Sequence, residues 1–369
     1  MTTRIGFLGA GLISRMHAAF LSTTSIPNAI VAVHDPDRDR ATAFAEAYGA
    51  TAMDDEEHVL DAVDAVFVTS WTSEHERLVR VASERGLAVF CEKPLGVSAD
   101  VAERMVAAVE EHGVVSQVGL VLRFVPQFLL ARDLIAEPRS GRLMAVSFRD
   151  DQYIPNQGRY ASTWRVDPAI AGRGTLLEHS IHDVDVLQWI GGAVDSVSAV
   201  VREFHGYDRI DDVASARLEF SNGAVASLTS VWHDILERPS MRLIEFFSER
   251  LHIVIDGGLE GEIRWQFTGE AAESLSGDAV VTRCVERGCA PTTDVTTLLG
   301  ERLFNPATAF LGAVRGDHSP TLPLREALVA HRLVDAMYAS AAVGGAPSSG
   351  ASQEGHGAPA GLGRGIDRG

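Results

Sequence analysis

Three titratable side chains in two short segments have the chemistry to oxidise an alcohol: Lys93 in Cys91-Glu92-Lys93-Pro94-Leu95, and Glu178 and His182 in the run from Gly174 to Asp185. On a helix beginning near Thr175, Glu178, His182 and Asp185 fall at i, i+4 and i+7 as one polar stripe, beside an apolar stripe of Leu177, Ile181 and Val184. Oxidation of a secondary alcohol removes the hydroxyl proton as hydride leaves carbon, and histidine titrates in the range that suits a base for that proton. His182 is the candidate. Glu178, one turn away, would hold the imidazole tautomer and stabilise the imidazolium, while Lys93 would stabilise the developing alkoxide. Each residue also has a plainer reading. A lysine before proline suits a surface turn, Thr175-x-x-Glu178 matches a capping box, and a Glu/His/Asp stripe is the usual look of a solvated helix face.

The hydride acceptor is suggested at the start of the chain. The apolar run Ile5-Gly6-Phe7-Leu8 breaks into Gly9-Ala10-Gly11-Leu12-Ile13-Ser14, then Arg15-Met16-His17-Ala18-Ala19-Phe20, which reads as strand, glycine turn and helix. With Gly9 and Gly11 in the turn, and Leu12 and Ile13 opening the helix, the backbone can approach a pyrophosphate and aim the helix N-terminus at it. The third small position is Ser14 rather than glycine. A second apolar strand, Ala29 to Val33, ends at His34-Asp35, and Asp35 lies about twenty residues beyond the turn, where a carboxylate takes ribose hydroxyls. Asp35-Pro36 would also serve as an N-cap followed by proline at the first helical position. Asp35 and Asp37 repel a 2′-phosphate, so NAD is favoured, although Arg38 and Arg40 leave NADP open. Strand, turn, helix, strand and acid in this order predict a Rossmann domain.

The surrounding elements must bring Lys93 and His182 to that cofactor. The chain has 369 residues, 46% hydrophobic and 22% charged, enough for two domains. A net charge of -18 argues against a nucleic-acid partner. No apolar run approaches the roughly 18 residues that span a bilayer, and the first strand begins at once, so a cytoplasmic protein is expected. Three cysteines, Cys91, Cys284 and Cys289, suit neither a full set of disulfides nor a zinc site, and no metal is required. Up to Leu122, strands such as Val63 to Thr69, Leu87 to Cys91 and Val114 to Leu122 alternate with helices Ser73 to Arg85 and Ala99 to His112, predicting a doubly wound parallel sheet in a domain of residues 1–122. Residues 123–342 read as an α+β domain on an open, mainly antiparallel sheet, from runs such as Met144 to Phe148, Val194 to Val201, Val213 to Phe220, Ala224 to Val231, Arg242 to Ser248 and Leu251 to Ile255. Turns at Ser221-Asn222-Gly223 and Asp256-Gly257-Gly258 join some of them. A helix over about 323–341 would return to the first domain, and 343–369, poor in apolar residues, reads as a disordered tail.

Taken together, the glycine turn, Val68-Thr69-Ser70-Trp71 with His75, Cys91-Glu92-Lys93-Pro94-Leu95, Val118-Gly119 with Arg123, Trp164-Arg165 and the segment from Gly174 to Asp185 resemble the glucose-fructose oxidoreductase and inositol dehydrogenase (Gfo/Idh/MocA) family, over Ile5 to Ala341. The resemblance implies an NAD(P)-dependent dehydrogenase of a sugar or an inositol-like cyclitol, working as a homo-oligomer, a dimer or tetramer, through its open sheet. It implies cofactor contacts from Thr69, Ser70, Trp71, His75, Glu92 and Lys93, with Trp71 alternatively filling the crevice. Arg123, Tyr153, Asn156, Trp164, Arg165 and His233, on expected loops or strand ends facing the cleft, are candidate substrate contacts beside Glu178 and His182; Arg123, Trp164 and Arg165 are favoured, with Arg165 alternatively in a domain-bridging ion pair. Glu178 stands where the family usually has aspartate, and the Ser70-Trp71 pair points to inositol dehydrogenases. A lyase or glycosidase that cycles hydride through tightly bound NAD would need the same residues, and a dinucleotide sensor without catalysis is the third reading.

Overall fold

A computed structural model of the chain describes residues 1–257, 261–298 and 300–350. In chain order the first unit runs β1 (Thr3–Leu8), α1 (Leu12–Thr23), β2 (Asn28–His34), α2 (Arg38–Tyr48), β3 (Thr51–Ala52), α3 (Glu56–Ala62), β4 (Ala65–Val68), α4 (His75–Glu84), β5 (Ala88–Cys91), α5 (Ala99–Glu111) and β6 (Ser116–Val118). Its strands are ordered β3-β2-β1-β4-β5-β6, and every pairing is parallel. β4 and β5 are buried along their whole length, as expected for strands covered by helices on both faces. Phe7, Phe67 and Phe90, one from each of β1, β4 and β5, stack across the sheet at 5.0 and 4.7 Å.

The second unit continues with α6 (Pro126–Ile135), β7 (Leu143–Tyr153), α7 (Pro168–Ala171), α8 (Thr175–Glu178), α9 (Ile181–Gly191), β8 (Val194–Arg202), β9 (Val213–Phe220), β10 (Val225–His233), β11 (Met241–Ser248), β12 (Leu251–Gly257), β13 (Glu262–Phe267) and β14 (Glu273–Leu275). There follow α10 (Asp278–Arg287), the hairpin β15 (Val295–Leu298) and β16 (Glu301–Phe304), α11 (Pro306–Arg315), α12 (Leu324–Ala342) and β17 (Ser348–Ser349). Nine strands form one sheet in the order β14-β13-β12-β11-β7-β10-β9-β8-β17. Neighbours are antiparallel except β10 and β7. Alternating burial in β9 and β10 puts one face on the core and leaves the other open.

Three features of the structure go beyond the sequence reading. α11 does not stay with the second sheet; Phe310 packs edge-on against Phe67 and Phe90, and Asn305 at its N-cap donates to the carbonyl of Phe20 at 2.8 Å. The segment from 343, expected to be disordered, keeps its structure to Gly350, because Ser348–Ser349 pairs with β8 and the amide of Gly350 donates to the carbonyl of Asp195 at 2.7 Å. Residues 351–369, and Gly258 of one expected turn, lie outside the described residues. Ser14, in place of the third glycine, is fully buried, and its hydroxyl meets that of Thr69 at 2.9 Å, tying α1 to the end of β4.

The return of α12 fastens the two units together. It packs against α5 on one side and against α9 and β8 on the other. Its His331 Nε2 accepts from the amide of Leu95 at 3.0 Å, and Asp335 accepts from the amide of Ala99 at 2.8 Å. Burial, with the neighbouring His75, pushes the His331 imidazole down to about 3. Its folded value lies below its unfolded one, so the unfolded chain takes up the proton first as pH falls below about 6.5, and stability declines from there down to the folded value. The stability advantage of the wild type over His331→Gln therefore shrinks between pH 7 and pH 5, approaching about 1.4 kcal/mol per pH unit. Urea unfolding of both proteins at several pH values tests this; parallel curves would exclude a titrating role for His331.

Candidate active site

The turn between β1 and α1 is shaped for phosphate. Gly9 has φ +106°, and a side chain there would meet the Thr69 carbonyl at 2.7 Å, so only glycine fits. Gly11 faces open space and caps α1 with no side-chain hydrogen bond, leaving amides of the first turn for a ligand. At the end of β2, Asp35 accepts from the amides of Ala10 at 2.8 Å and Asp37 at 2.9 Å. The cap of α2 is Asp37, not Asp35, which leaves Asp35 beside the turn where a ribose would lie. These features fit a dinucleotide, held by the turn and Asp35.

At the carboxyl ends of the parallel strands, Lys93 follows β5 and precedes a cis Lys93-Pro94 bond. Its side chain is mostly buried, not the surface-turn lysine of the plainer reading, and Nζ donates to the Glu178 carbonyl at 2.8 Å with the Glu178 carboxylate 3.9 Å away. Its neighbour Glu92 points inward, accepting from the Lys93 amide at 3.0 Å and meeting His17 Nε2 at 2.6 Å. Burial raises the Glu92 carboxyl, but His17 and Lys93 outweigh it and hold it below its usual range. Of the other expected cofactor residues, Trp71 is 44% exposed rather than filling the crevice, and Ser70 sits beside it. His75 is corrected: it is buried, with Nδ1 3.0 Å from the carbonyl of Pro94 and Nε2 3.2 Å from that of Ser70, so it links the two loops instead of facing a cofactor.

The segment carrying Glu178 and His182 is two helices, α8 and α9, broken at His179-Ser180. Thr175 is inside α8 rather than its cap, so no capping box forms. Its hydroxyl and that of Ser180 both bond Ser230 Oγ, at 2.7 and 2.6 Å, which stitches the break to β10. Gly174 packs against Asp211 so tightly that a side chain would lie 1.9 Å from its carbonyl oxygen. Glu178, His182 and Asp185 are all buried, so the stripe is not a solvated face.

A cavity of about 160 Å³ lies where these parts meet, lined by His17, Glu92 and Lys93 from the first unit and by Gln152, Tyr160, Arg165, Glu178, His179, His182 and Arg242 from the second. His182 Nδ1 is buried without a partner among the described residues. Burial, reinforced by the positive charges of Lys93 and Arg242 and by His179, holds the His182 imidazole well below 6.5, so it is neutral and able to accept a proton at pH 7. Glu178 does not orient this ring. Its carboxylate accepts from Arg165 Nε at 2.7 Å, and although burial raises it, Arg165 and Lys93 hold it below its usual range.

Several expected substrate contacts lie elsewhere. Arg123 grips Asp185 at 2.8 and 2.7 Å and Glu326 at 3.1 Å, a buried clamp between the 3-10 turn after β6, α9 and α12. Tyr153, Asn156, Trp164 and His233 are not among the residues lining the cavity. Asn156 donates to Tyr207 at 2.8 Å, Tyr153 accepts from the Arg159 amide at 3.2 Å, Trp164 stacks on the Arg165 guanidinium at 4.6 Å, and His233 stands 3.6 Å from Asp151. Arg165 lines the cavity, and its ion pair with Glu178 lies within the second unit instead of bridging the two domains. The sequence reading missed His17, Gln152, Tyr160, His179 and Arg242. Only His17 left a local signal, a polar residue on the inner face of α1.

Known proteins place this architecture. A family model described as "Oxidoreductase family, NAD-binding Rossmann fold" matches residues 3–120, and the "GFO/IDH/MocA C-terminal domain" matches residues 128–258. The chain is thus built as a two-domain, dinucleotide-binding protein, and it belongs to the Gfo/Idh/MocA family. It is 32% identical over 240 residues to the "Uncharacterized oxidoreductase YrbE" of Bacillus subtilis, covering 61% of this chain and 67% of that one. It is 34% identical over 194 residues to "Inositol 2-dehydrogenase 3" of Saccharopolyspora erythraea, covering 52% of this chain and 54% of the relative. Its fold matches a levoglucosan dehydrogenase in complex with NADH, with a TM-score of 0.83 at 21% identity over 95% of this chain and 99% of the other.

If Arg123 is a clamp and not a substrate ligand, Arg123→Met strands Asp185 and Glu326 and lowers unfolding stability by about 3–5 kcal/mol. Substrate KM should stay where it is. A raised KM with unchanged stability in denaturant titration would return Arg123 to the binding site.

Proposed function

We propose that the protein is an NAD-dependent dehydrogenase acting on a secondary hydroxyl of a neutral sugar or cyclitol. The observation that carries the reading is the shared cavity of Lys93 and neutral His182 beside the glycine turn. Bound at that turn, a nicotinamide dinucleotide supplies the hydride acceptor. Lys93 Nζ donates to the reacting oxygen and stabilises negative charge as it develops, and His182 takes the hydroxyl proton. Glu178 anchors Lys93 through its carbonyl and balances its charge together with that of Arg165. The cavity favours an uncharged polyol because its cations are already matched: Arg165 by Glu178, and Arg242 by Asp150 and Asp183. A sugar phosphate would find no spare cation among these. The relative named for inositol and the neighbour named for levoglucosan support the same substrate class.

NAD is the cofactor we infer, because a 2′-phosphate would face Asp35 and Asp37, while Arg40 is turned to both carboxylates and Arg38 is paired with Asp54. The open face of the nine-stranded sheet, with Val200, Val225 and Phe247 exposed, is read as the contact between copies in a dimer or tetramer. Light scattering of the purified protein decides that point, and a monomer at micromolar concentration would refute it.

A spectroscopic screen for reduced nicotinamide with cyclitols, pentoses, hexoses and anhydrosugars tests the activity. Folded His182→Ala and Lys93→Met proteins should lose about 10²–10⁴-fold in kcat/KM. Undiminished turnover in either would sink the mechanism. Since the proton-accepting form of His182 persists until pH falls well under 6.5, the acidic limb of the kcat/KM profile for oxidation should lie below that pH. Asp35→Ser should narrow the preference of kcat/KM for NAD over NADP; a wild type that prefers NADP would contradict the reading.

A further inference from the structure

The cavity holds a second histidine that the proposed reaction does not use. His179 lies at the break between α8 and α9, three residues before His182, and its ring lines the same cavity. Its Nε2 is 2.7 Å from Asp150 Oδ2, and Asp150 is fully buried in β7. Arg242 Nη2 meets the same oxygen at 2.7 Å, and Arg242 Nε reaches Asp183 at 3.2 Å. Asp150 and Arg242 face each other in the register of β7 and β11, so the two strands carry the support as one unit. A carboxylate on one ring nitrogen makes that nitrogen the donor and fixes the plane of the imidazole. The other nitrogen, Nδ1, has no hydrogen bond among the described residues. An imidazole held this firmly, and left with one open polar atom on a cavity wall, is built to meet a ligand.

From this geometry we propose that His179 is a specificity-determining residue that hydrogen-bonds a second, non-reacting hydroxyl of the substrate, with Asp150 as a positioning residue acting through it. The assignment rests on the polyol dehydrogenase reading above. His182 addresses the hydroxyl that is oxidised; His179, on the adjoining wall, addresses one that stays. No bond is made or broken at His179. Its part is to select polyols carrying a hydroxyl at the right place, since an analogue without that hydroxyl forfeits the hydrogen bond to the fixed imidazole.

The test uses the full chain with NAD and myo-inositol, D-xylose or levoglucosan, taking forward whichever is turned over, together with its monodeoxy analogues. In the wild type, loss of one non-reacting hydroxyl should cost about 10- to 100-fold in kcat/KM. His179→Ala should raise KM for the parent polyol by a similar factor, with a much smaller fall in kcat, and should no longer distinguish parent from that analogue. His179→Gln, which keeps a polar terminus, should recover part of the KM and serves if the alanine protein is poorly folded. Additive losses for the side chain and every hydroxyl, or a fall in kcat with KM unmoved, would overturn the assignment while leaving the dehydrogenase reading intact. A wild type that neither binds nor oxidises any of the three compounds would overturn both.

Discussion

Charge taken out of water has to be matched where it lies, and this constraint shapes the seam between the two domains. A carboxylate as buried as Glu178, Asp150 or Asp185 would lose its charge or destabilise the fold by several kcal/mol if left alone. None is alone: Glu178 has Arg165 and Lys93, Asp150 has Arg242 and His179, and Asp185 has Arg123. Glu92 with His17 adds a fourth pairing on the nucleotide side. Three of these four clusters line the cavity, so the packing that satisfies the charges also sets the positions of the groups that would touch a substrate.

The same arrangement explains why His182 stays neutral. Burial comes first, the charges of Lys93 and Arg242 outweigh that of Asp150, and Nδ1 lacks the carboxylate partner that would draw a proton onto the ring. Glu178, the residue best spaced to be that partner, is engaged by Arg165 instead.

What could be read from the sequence was what depends on near neighbours. The glycine turn, Asp35, Lys93 and the run of apolar strands follow from spacing within a few residues or one strand-helix-strand unit, and they stand where local rules put them. Arg123 was misread because its partner Glu326 is 203 residues away, and nothing in Val118-Gly119 or the turn after them announces α12. Arg242 and Asp150 become partners only through the register of β7 and β11, and register is fixed by packing that periodicity alone does not reveal. The helix break at His179-Ser180 was hidden for a related reason: Ser230, fifty residues on, supplies the hydroxyl that competes with helical continuation. Trp164 and Tyr153 have the composition of a sugar platform, but their contacts are spent on supporting Arg165 and the 153–160 loop.

α12 has a mechanical consequence. A helix hydrogen-bonded only to the loop of Leu95 would brace one side, but this one also packs along β8 and α9, so it spans the two units like a strut. A helix packed on both units in this way opposes a swing of one lobe about a hinge. One wall of the cavity is built differently: the 154–165 segment, which contributes Pro155, Tyr160 and Arg165 to it, carries neither β-strand nor α-helix.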